Sequence, residues 1–542
     1  MPFLIRNITL SPDDREELLL TRILRHFSLQ PSEVKQWRIV RKGVDARRKK
    51  QIRVVYTVEL TLDREDAFAR RCADNPDVER VTPAASFIPV QIESSKKIVI
   101  VGFGPAGIFA ALRLSEYGLA PLVIERGAEM ARRVKDVQLF WNQGSLDPES
   151  NVQFGEGGAG TFSDGKLTTR VRDSNIGYIL DQLVRFGAPQ EIRYLAKPHI
   201  GTDRLRDVVV NMRRHLAARG IEVRFGNRLT GIAAEGGALR GALINERLEE
   251  ACDVLVLAPG HSARDTYRML HDAGVRLEQK AFSIGLRVEH PQELINTIQY
   301  GIPGHPHLPQ AEYALAYNDP SSGRSAYSFC MCPGGMVVAS SSETGGVVTN
   351  GMSNHLRNAP FANSALVVTV GPRDFTDKSP LAGIEFQRIW ERKAFTAAGE
   401  GYLAPAQNLL SFLGEKGDLP LRSSYLPGVL RYDLPMVLPP FVTDTLRDGL
   451  RQFDRKMRGF VTREATLTGV ETRTSAPVRI ERGEDMQSVS LAGLYPAGEG
   501  AGYAGGIVSA ALDGIRVADA VAERLRMERN LTLQTSKGAC FE

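Results

Sequence analysis

The chain has 542 residues, 43% hydrophobic and 24% charged, with 68 basic against 63 acidic side chains. That length exceeds one ordinary domain, so two or three are expected, with the composition of a water-soluble globular protein. The net charge of +5 excludes a polycation, no apolar run reaches the roughly 18 residues of a membrane span, and "MPFLIRNITLSPDDREE" turns acidic before any signal-peptide run.

Five scattered cysteines, Cys72, Cys252, Cys330, Cys332 and Cys540, are odd in number. They argue against a disulfide framework and for a reducing compartment, so a cytoplasmic location is expected. No Cys/His set has metal-ligand spacing, and no metal site is expected.

Residues 1–90 read as a small α+β unit. "FLIRNITL" alternates like a strand, and Ser11 with Pro12 marks a helix start for "SPDDREELLLTRILRHF". "WRIVRKGVDARRKKQIRVVYTVELTL" reads as two strands around a basic turn, and "REDAFARRCADNP" as a helix. "TPAASFIPVQIESS" is a linker with two prolines.

From Lys96 the pattern becomes βαβ. Ile98–Val101 is a short apolar strand, a helix ends at Gly118, and "PLVIE" is the next strand. Thr202 is expected to cap a helix whose stripe is Leu205, Val208, Val209, Met212 and Leu216, and "IEVRF" and "DVLVLA" follow as strands. Such alternation implies a parallel sheet with helices on both faces. Residues 281–484 differ: short strand-like runs, many Gly and Pro, and a helix near "GIEFQRIWERKAFTAA". The βα pattern resumes at "GLYPAGEGAGYAGGIVSAALDGI". The expected fold is α/β: a Rossmann-like, ββα-type nucleotide-binding domain in two parts, 96–280 and 485–530. It is interrupted by an α+β substrate domain at 281–484 and preceded by the N-terminal unit.

Gly102, Gly104 and Gly107 fit G-x-G-x-x-G between a strand and a helix. The first glycine makes the tight turn, the second lets backbone approach a pyrophosphate, and the third lets helix and sheet pack closely. Pro105 and Ala106 open the helix, whose first amides suit phosphate. Glu125 lies 23 positions after Gly102, where an acid accepts hydrogen bonds from a ribose diol, with Arg126 beside it. NAD and FAD share that half. A second Gly-rich turn favours the longer FAD: Gly498 and Glu499 end a strand, and Gly505 and Gly506 precede a helix starting near Ile507. Glu499 suits ribityl hydroxyls, and the helix start suits the flavin edge where negative charge gathers on reduction. Ala258-Pro259-Gly260 adds a third strand end beside them.

These pieces resemble the two-dinucleotide-binding-domain flavoproteins. "NVQFGEGGAGTFSDGKLTTR", "KPHIGTD", "GHSARDTY", "NGMSNHLRN" and "TRTSAPVRI" are similar to the bacterial FAD-dependent dehydrogenases over nearly the whole chain. Pro259 stands where that family more often has Thr. The resemblance implies non-covalent FAD and leaves the substrate open. In related flavoproteins a loop like "FGEGGAGTFSDGKL" lies on the flavin ring. That makes Gly157, Gly158, Gly160, Thr161, Ser163 and Lys166 candidate ring contacts.

A flavin does the redox chemistry, and the protein positions substrate and moves protons. His355 is the candidate acid/base, Arg357 the candidate carboxylate fork, and Lys166 the candidate cation near the ring. His199 and His261 read as structural. Cys330-Met-Cys332 is read as two inert thiols facing opposite sides of a strand, in preference to a dithiol passing electrons to flavin. The expected reaction is hydride transfer between flavin N5 and an organic substrate, with NAD(P)H a candidate electron donor. One G-x-G-x-x-G joins a strand directly to a helix in a βαβ unit, so no dedicated nicotinamide domain is expected. Two rivals stay open. "TRTSAPVRI" has an echo in flavoproteins that modify the tRNA wobble uridine, and the turn Arg41–Arg53 carries seven cations that suit a phosphate backbone. Its bland alternative is a solvated hairpin tip. The other rival is a non-catalytic flavin sensor.

Overall fold

The computed structural model describes residues 1–82, 87–417 and 420–538, with side chains to 530. Residues 83–86 of the linker reading and Cys540 lie outside that set.

The N-terminal unit is a four-stranded antiparallel sheet in the order Val34–Asp45, Arg53–Leu62, Phe3–Leu10, Val78–Arg80. Alternation along Arg53–Leu62 buries Val54, Tyr56, Val58, Leu60 and Leu62. Phe27 and Phe68, from helices Leu18–Phe27 and Glu65–Arg71, close this core edge-on. The first helix starts at Leu18, not after Ser11. Ser11 and Asp14 bond each other instead: the Asp14 amide donates to the Ser11 carbonyl, and the Asp14 carboxylate accepts the Ser11 amide. That local turn competes with helix.

The central sheet is wholly parallel, in the order Leu494–Pro496, Val254–Leu257, Ile98–Val101, Leu122–Glu125, Val223–Phe225. Successive side chains serve opposite cores. Ile98, Ile100, Val123, Val254 and Val256 pack against helices Pro105–Glu116, Thr202–Ala218 and Ile507–Gly538. Val99, Val101, Ile124, Leu255 and Leu257 pack the other way, toward helix Arg264–Asp272 and an antiparallel sheet of Leu229–Glu235, Ala238–Ile244 and Leu248–Ala251. That second face is therefore covered largely by strands, contrary to the expected helices on both sides. "LTGIAAEGGALRGALI" is a hairpin whose apolar residues are spaced for a sheet. Gly107 packs against the sheet, its missing Cβ only 1.9 Å from the Gly102 carbonyl oxygen. Gly514 lets the C-terminal helix approach the Ala106 carbonyl in the same way, at 2.1 Å.

Between Val254–Leu257 and Leu494–Pro496 in sequence lies a second large sheet. Its order is Ala316–Asn318, Ser325–Ala339, Phe361–Val370, Phe282–Pro291, Thr466–Glu471, Ala404–Asn408, Val429–Arg431, with Thr349–Met352 paired to Ser325–Ala339. Helices Ala382–Ala397 and Pro440–Lys456 contribute Phe386, Ala394, Val442, Leu446 and Leu450 to its core. Among the described residues no helix is long and apolar enough to cross a membrane.

Candidate functional site

The carboxyl ends of the parallel strands open into one cleft, the usual ligand position in an open α/β sheet. Its wall is built from both large sheets.

At one end, Gly102 turns at φ +97, and a Cβ there would sit 2.1 Å from the Ala258 carbonyl oxygen, so only glycine fits. Gly104 caps the helix that begins at Pro105, and the direction of its missing side chain is open to 3.7 Å. The first-turn amides have no intrahelical partners and carry the positive end of the helix dipole. Glu125 is 5% exposed, yet it lines the cleft. Its carboxylate accepts the amides of Phe103, Gly127 and Gly155 at 2.8–2.9 Å, which aim it and leave acceptor capacity for a diol. Arg126 stacks on Phe154 at 4.0 Å and pairs with Glu149 and Asp265, so its charge is already matched. Arg133 sets the loop behind them. Fully buried, it donates to the carbonyls of Asn151, Val152 and Glu156, and burial lowers its pKa to about 9.

In the middle, Ala258, Pro259, Gly260 and His261 face Glu499. Burial, then Arg473 and Arg264, push the His261 imidazole down to about 3, so it stays neutral. Burial lifts Glu499 to about 7 against the pull of Lys280. No described donor satisfies the half-buried Glu499 carboxylate, and an unpaired acceptor of this kind suits a polyhydroxyl ligand.

Against the start of the helix from Pro105, Gly158, Gly160, Ser163, Asp164 and Lys166 meet Gly505, Gly506 and Ile507. Gly158, at φ +63, brings this loop within 3.0 Å of the Gly104 Cα, measured from its missing Cβ. The second sheet completes the wall with Phe329, Cys330, Cys332, Asn350, Glu471 and Arg473.

The predicted residues divide cleanly. Gly102, Gly104, Pro105, Ala106, Glu125, Arg126, Gly158, Lys166, Ala258, Gly260, Glu499, Gly505, Gly506 and Ile507 line the cleft. Gly107, Gly157, Thr161 and Gly498 stand behind it. Gly498 turns at φ +74 against Ala106, with its amide on Asp513. The Thr161 hydroxyl is spent on the Glu156 carbonyl, and Gly157 packs against it. Thr202 is the first helical residue rather than the cap, and its hydroxyl donates to the Thr161 carbonyl.

His355 and Arg357 do not reach the cleft. The His355 Nδ1 bonds the Ile200 carbonyl at 3.0 Å and its ring stacks on His199. Arg357 forks onto the buried Asp164 carboxylate, which Ser353 also bonds. Arg357 therefore braces the loop that carries Asp164 and Lys166, and His355 braces the neighbouring His199–Ile200 segment. "NGMSNHLRN" does supply the site, through Asn350 and Gly351 at its start. Lys166 reaches across to the Met331 carbonyl and lies 3.7 Å from Glu312.

Cys330 and Cys332 both line the cleft, contrary to the opposite-face reading. Positions two apart on a strand share a face, and Met331 between them enters the opposite core. Other residues escaped the sequence reading: Asn227 and Arg228 beside Glu125, and Glu471 and Arg473 opposite. Arg473 lies inside the quoted "TRTSAPVRI", but nothing local revealed its partner. It joins Arg264 on Glu391, deep between the two sheets, with contacts of 2.7–3.1 Å.

Comparison with known proteins adds five findings. A family model described as FAD-dependent protein, C-terminal domain-like matches residues 281–474, and a domain of unknown function matches residues 1–61. A protein of Clostridium beijerinckii described as uncharacterized is 46% identical over 534 residues, covering 98% of this chain and 100% of that one. Similar solved structures include CtdE in complex with FAD, at 12% identity and TM-score 0.32, covering 83% of this chain and 94% of that one. Glycerol-3-phosphate dehydrogenase from Bacillus halodurans complexed with FAD matches at 12% identity and TM-score 0.34, covering 80% and 66%.

Proposed function

The chain belongs to the family of FAD-dependent proteins whose C-terminal domain lies at residues 281–474, and we propose that it is an oxidoreductase holding FAD non-covalently along this cleft. It exchanges a hydride with an organic substrate. The observation that carries the reading is the continuity of the lining. One groove joins the Gly102–Gly107 turn and Glu125, the unpaired Glu499 carboxylate, and the loop from Gly158 to Lys166.

Each segment has a task. The first-turn amides after Pro105 hold the pyrophosphate, and Gly104 leaves room for it. Glu125, aimed by three amides, accepts the ribose diol. Glu499 accepts ribityl hydroxyls, which satisfy it without a buried counter-ion. The helix from Ile507 and the Lys166 ammonium set positive potential at the inner end. When bound, FAD supplies two-electron chemistry, and the protein supplies position, charge and exclusion of water. Substrate enters where Phe329 and Asn350 of the second sheet face Lys166 across the cleft.

The test is an anaerobic absorbance spectrum of the purified chain after incubation with FAD and desalting, before and after NADH or NADPH. A retained flavin band is the expected result, and a reductant that bleaches it identifies the electron donor. A desalted protein with no flavin band overturns the assignment.

A further inference from the structure

Cys330 and Cys332 are the part of the cleft wall to which that reading gives no task. They lie on Ser325–Ala339, where Phe329 pairs with Ala365 and Cys332 with Asn363. Three steps on one strand answer two on the other, which marks a bulge. Cys330 sits in it at φ +43, a left-handed conformation that a cysteine rarely adopts. Bulges of this kind re-aim side chains. Cys330 is exposed to the cleft, Cys332 is buried in its wall, and the Cys332 thiol folds back onto the Cys330 carbonyl at 3.3 Å.

A buried guanidinium holds this bulge. Arg287 donates from Nη2 to the Cys330 carbonyl at 2.7 Å and touches the Cys332 sulfur at 3.5 Å. Its Nη1 rests on Glu471 and its Nε on Asn363. Gly351 makes room: a Cβ there would meet Nη2 at 1.9 Å. Cys72 and Cys252 have no such setting; they sit in separate hydrophobic cores.

We propose that Cys330 and Cys332 form a redox-active dithiol that closes to a disulfide and gives its electron pair to the flavin held in the same cleft. Two S–H bonds break and one S–S bond forms. Both electrons and both protons pass to the oxidised flavin, which becomes the reduced flavin, and the reverse step reopens the disulfide. Loss of water inside the cleft and its wall pushes the two thiols up, to about 12 and about 11, against the pull of Arg287. They rest protonated, and the exchange quickens as pH rises.

This inference rests on the FAD reading, and the experiment separates the two. The FAD-loaded full chain is incubated in air, alkylated in denaturant and mapped by peptide mass. A portion is also titrated anaerobically with dithionite. The expected result is a Cys330–Cys332 peptide two hydrogens light and closed to alkylation, with Cys72 and Cys252 alkylated. The titration then takes two two-electron equivalents per flavin, and one in Cys330→Ser and in Cys332→Ser. Full alkylation of both thiols, with one equivalent for every protein, overturns the dithiol while leaving the flavin assignment intact. A chain with no flavin band at the start fails the earlier reading first.

Discussion

Replacing Gly104 by valine separates ligand binding from folding. Gly104 has φ −87 and ψ −174, a conformation valine adopts without strain. A Cβ there meets nothing nearer than the Gly158 Cα at 3.7 Å, an ordinary contact. The folding cost is therefore modest, about 1 kcal/mol with the poorer helix cap included, and the flavin-free protein keeps its Tm within a few degrees. The valine methyls stand where a pyrophosphate meets the backbone, so FAD affinity falls at least about 100-fold, close to 2.7 kcal/mol. Gly102→Ala is the contrasting variant. Its φ of +97 costs a side chain about 1–2 kcal/mol. Overlap with the Ala258 carbonyl oxygen at 2.1 Å adds about 1–3 kcal/mol. Against a typical stability of about 5–15 kcal/mol, that variant loses both fold stability and flavin. The assay pairs FAD titration by fluorescence quenching with thermal unfolding of the flavin-free proteins. A Gly104→Val protein as yellow as wild type refutes the pyrophosphate assignment. A Gly104→Val protein that unfolds as early as Gly102→Ala refutes the geometry.

Glu391→Gln leaves Arg264 and Arg473 facing each other without their shared carboxylate, and costs about 3–5 kcal/mol in urea unfolding. Burial would raise Glu391, but the two arginines outweigh it and hold its carboxyl well below the usual range. Its contribution is thus present above the unfolded value near 4.5 and is lost as pH falls through the folded one. Glu499 has the opposite sign. Burial raises it to about 7, so the flavin-free protein loses stability as pH climbs from about 4.5 to 7. Glu499→Gln flattens that slope in a Tm-against-pH series, and bound FAD flattens it in the wild type. His355→Ala leaves the flavin spectrum and its pH response unchanged, because the ring is spent on the Ile200 carbonyl and the His199 face. A shifted pH profile in that variant would return His355 to the chemistry.

Which features were legible in the chain follows from the range over which each is determined. Gly102, Gly107 and Glu125 obey rules set within one βαβ unit: a positive φ, a helix resting on its own strand, and an acid at the next strand end. Local spacing therefore located them. Glu499 was readable for the same reason, as the end of a strand entering a Gly-rich turn. His355 and Arg357 misled because chemical type was the only signal available, and a partner 156 to 193 positions away decided their roles. Cys330 and Cys332 show the limit most clearly. The sequence reading sets them on opposite sides of a strand, whereas the pairing with Phe361–Val370 puts both in the cleft wall and the bulge turns Cys330 outward. Arg287 reaches the pair from a third strand, because Gly351 on a fourth lets it through. No window of sequence spans those four strands. The half of the cleft at the parallel strand ends was thus readable from local rules, and the half lined by the second sheet was not, because it is assembled from contacts that only the folded second sheet creates.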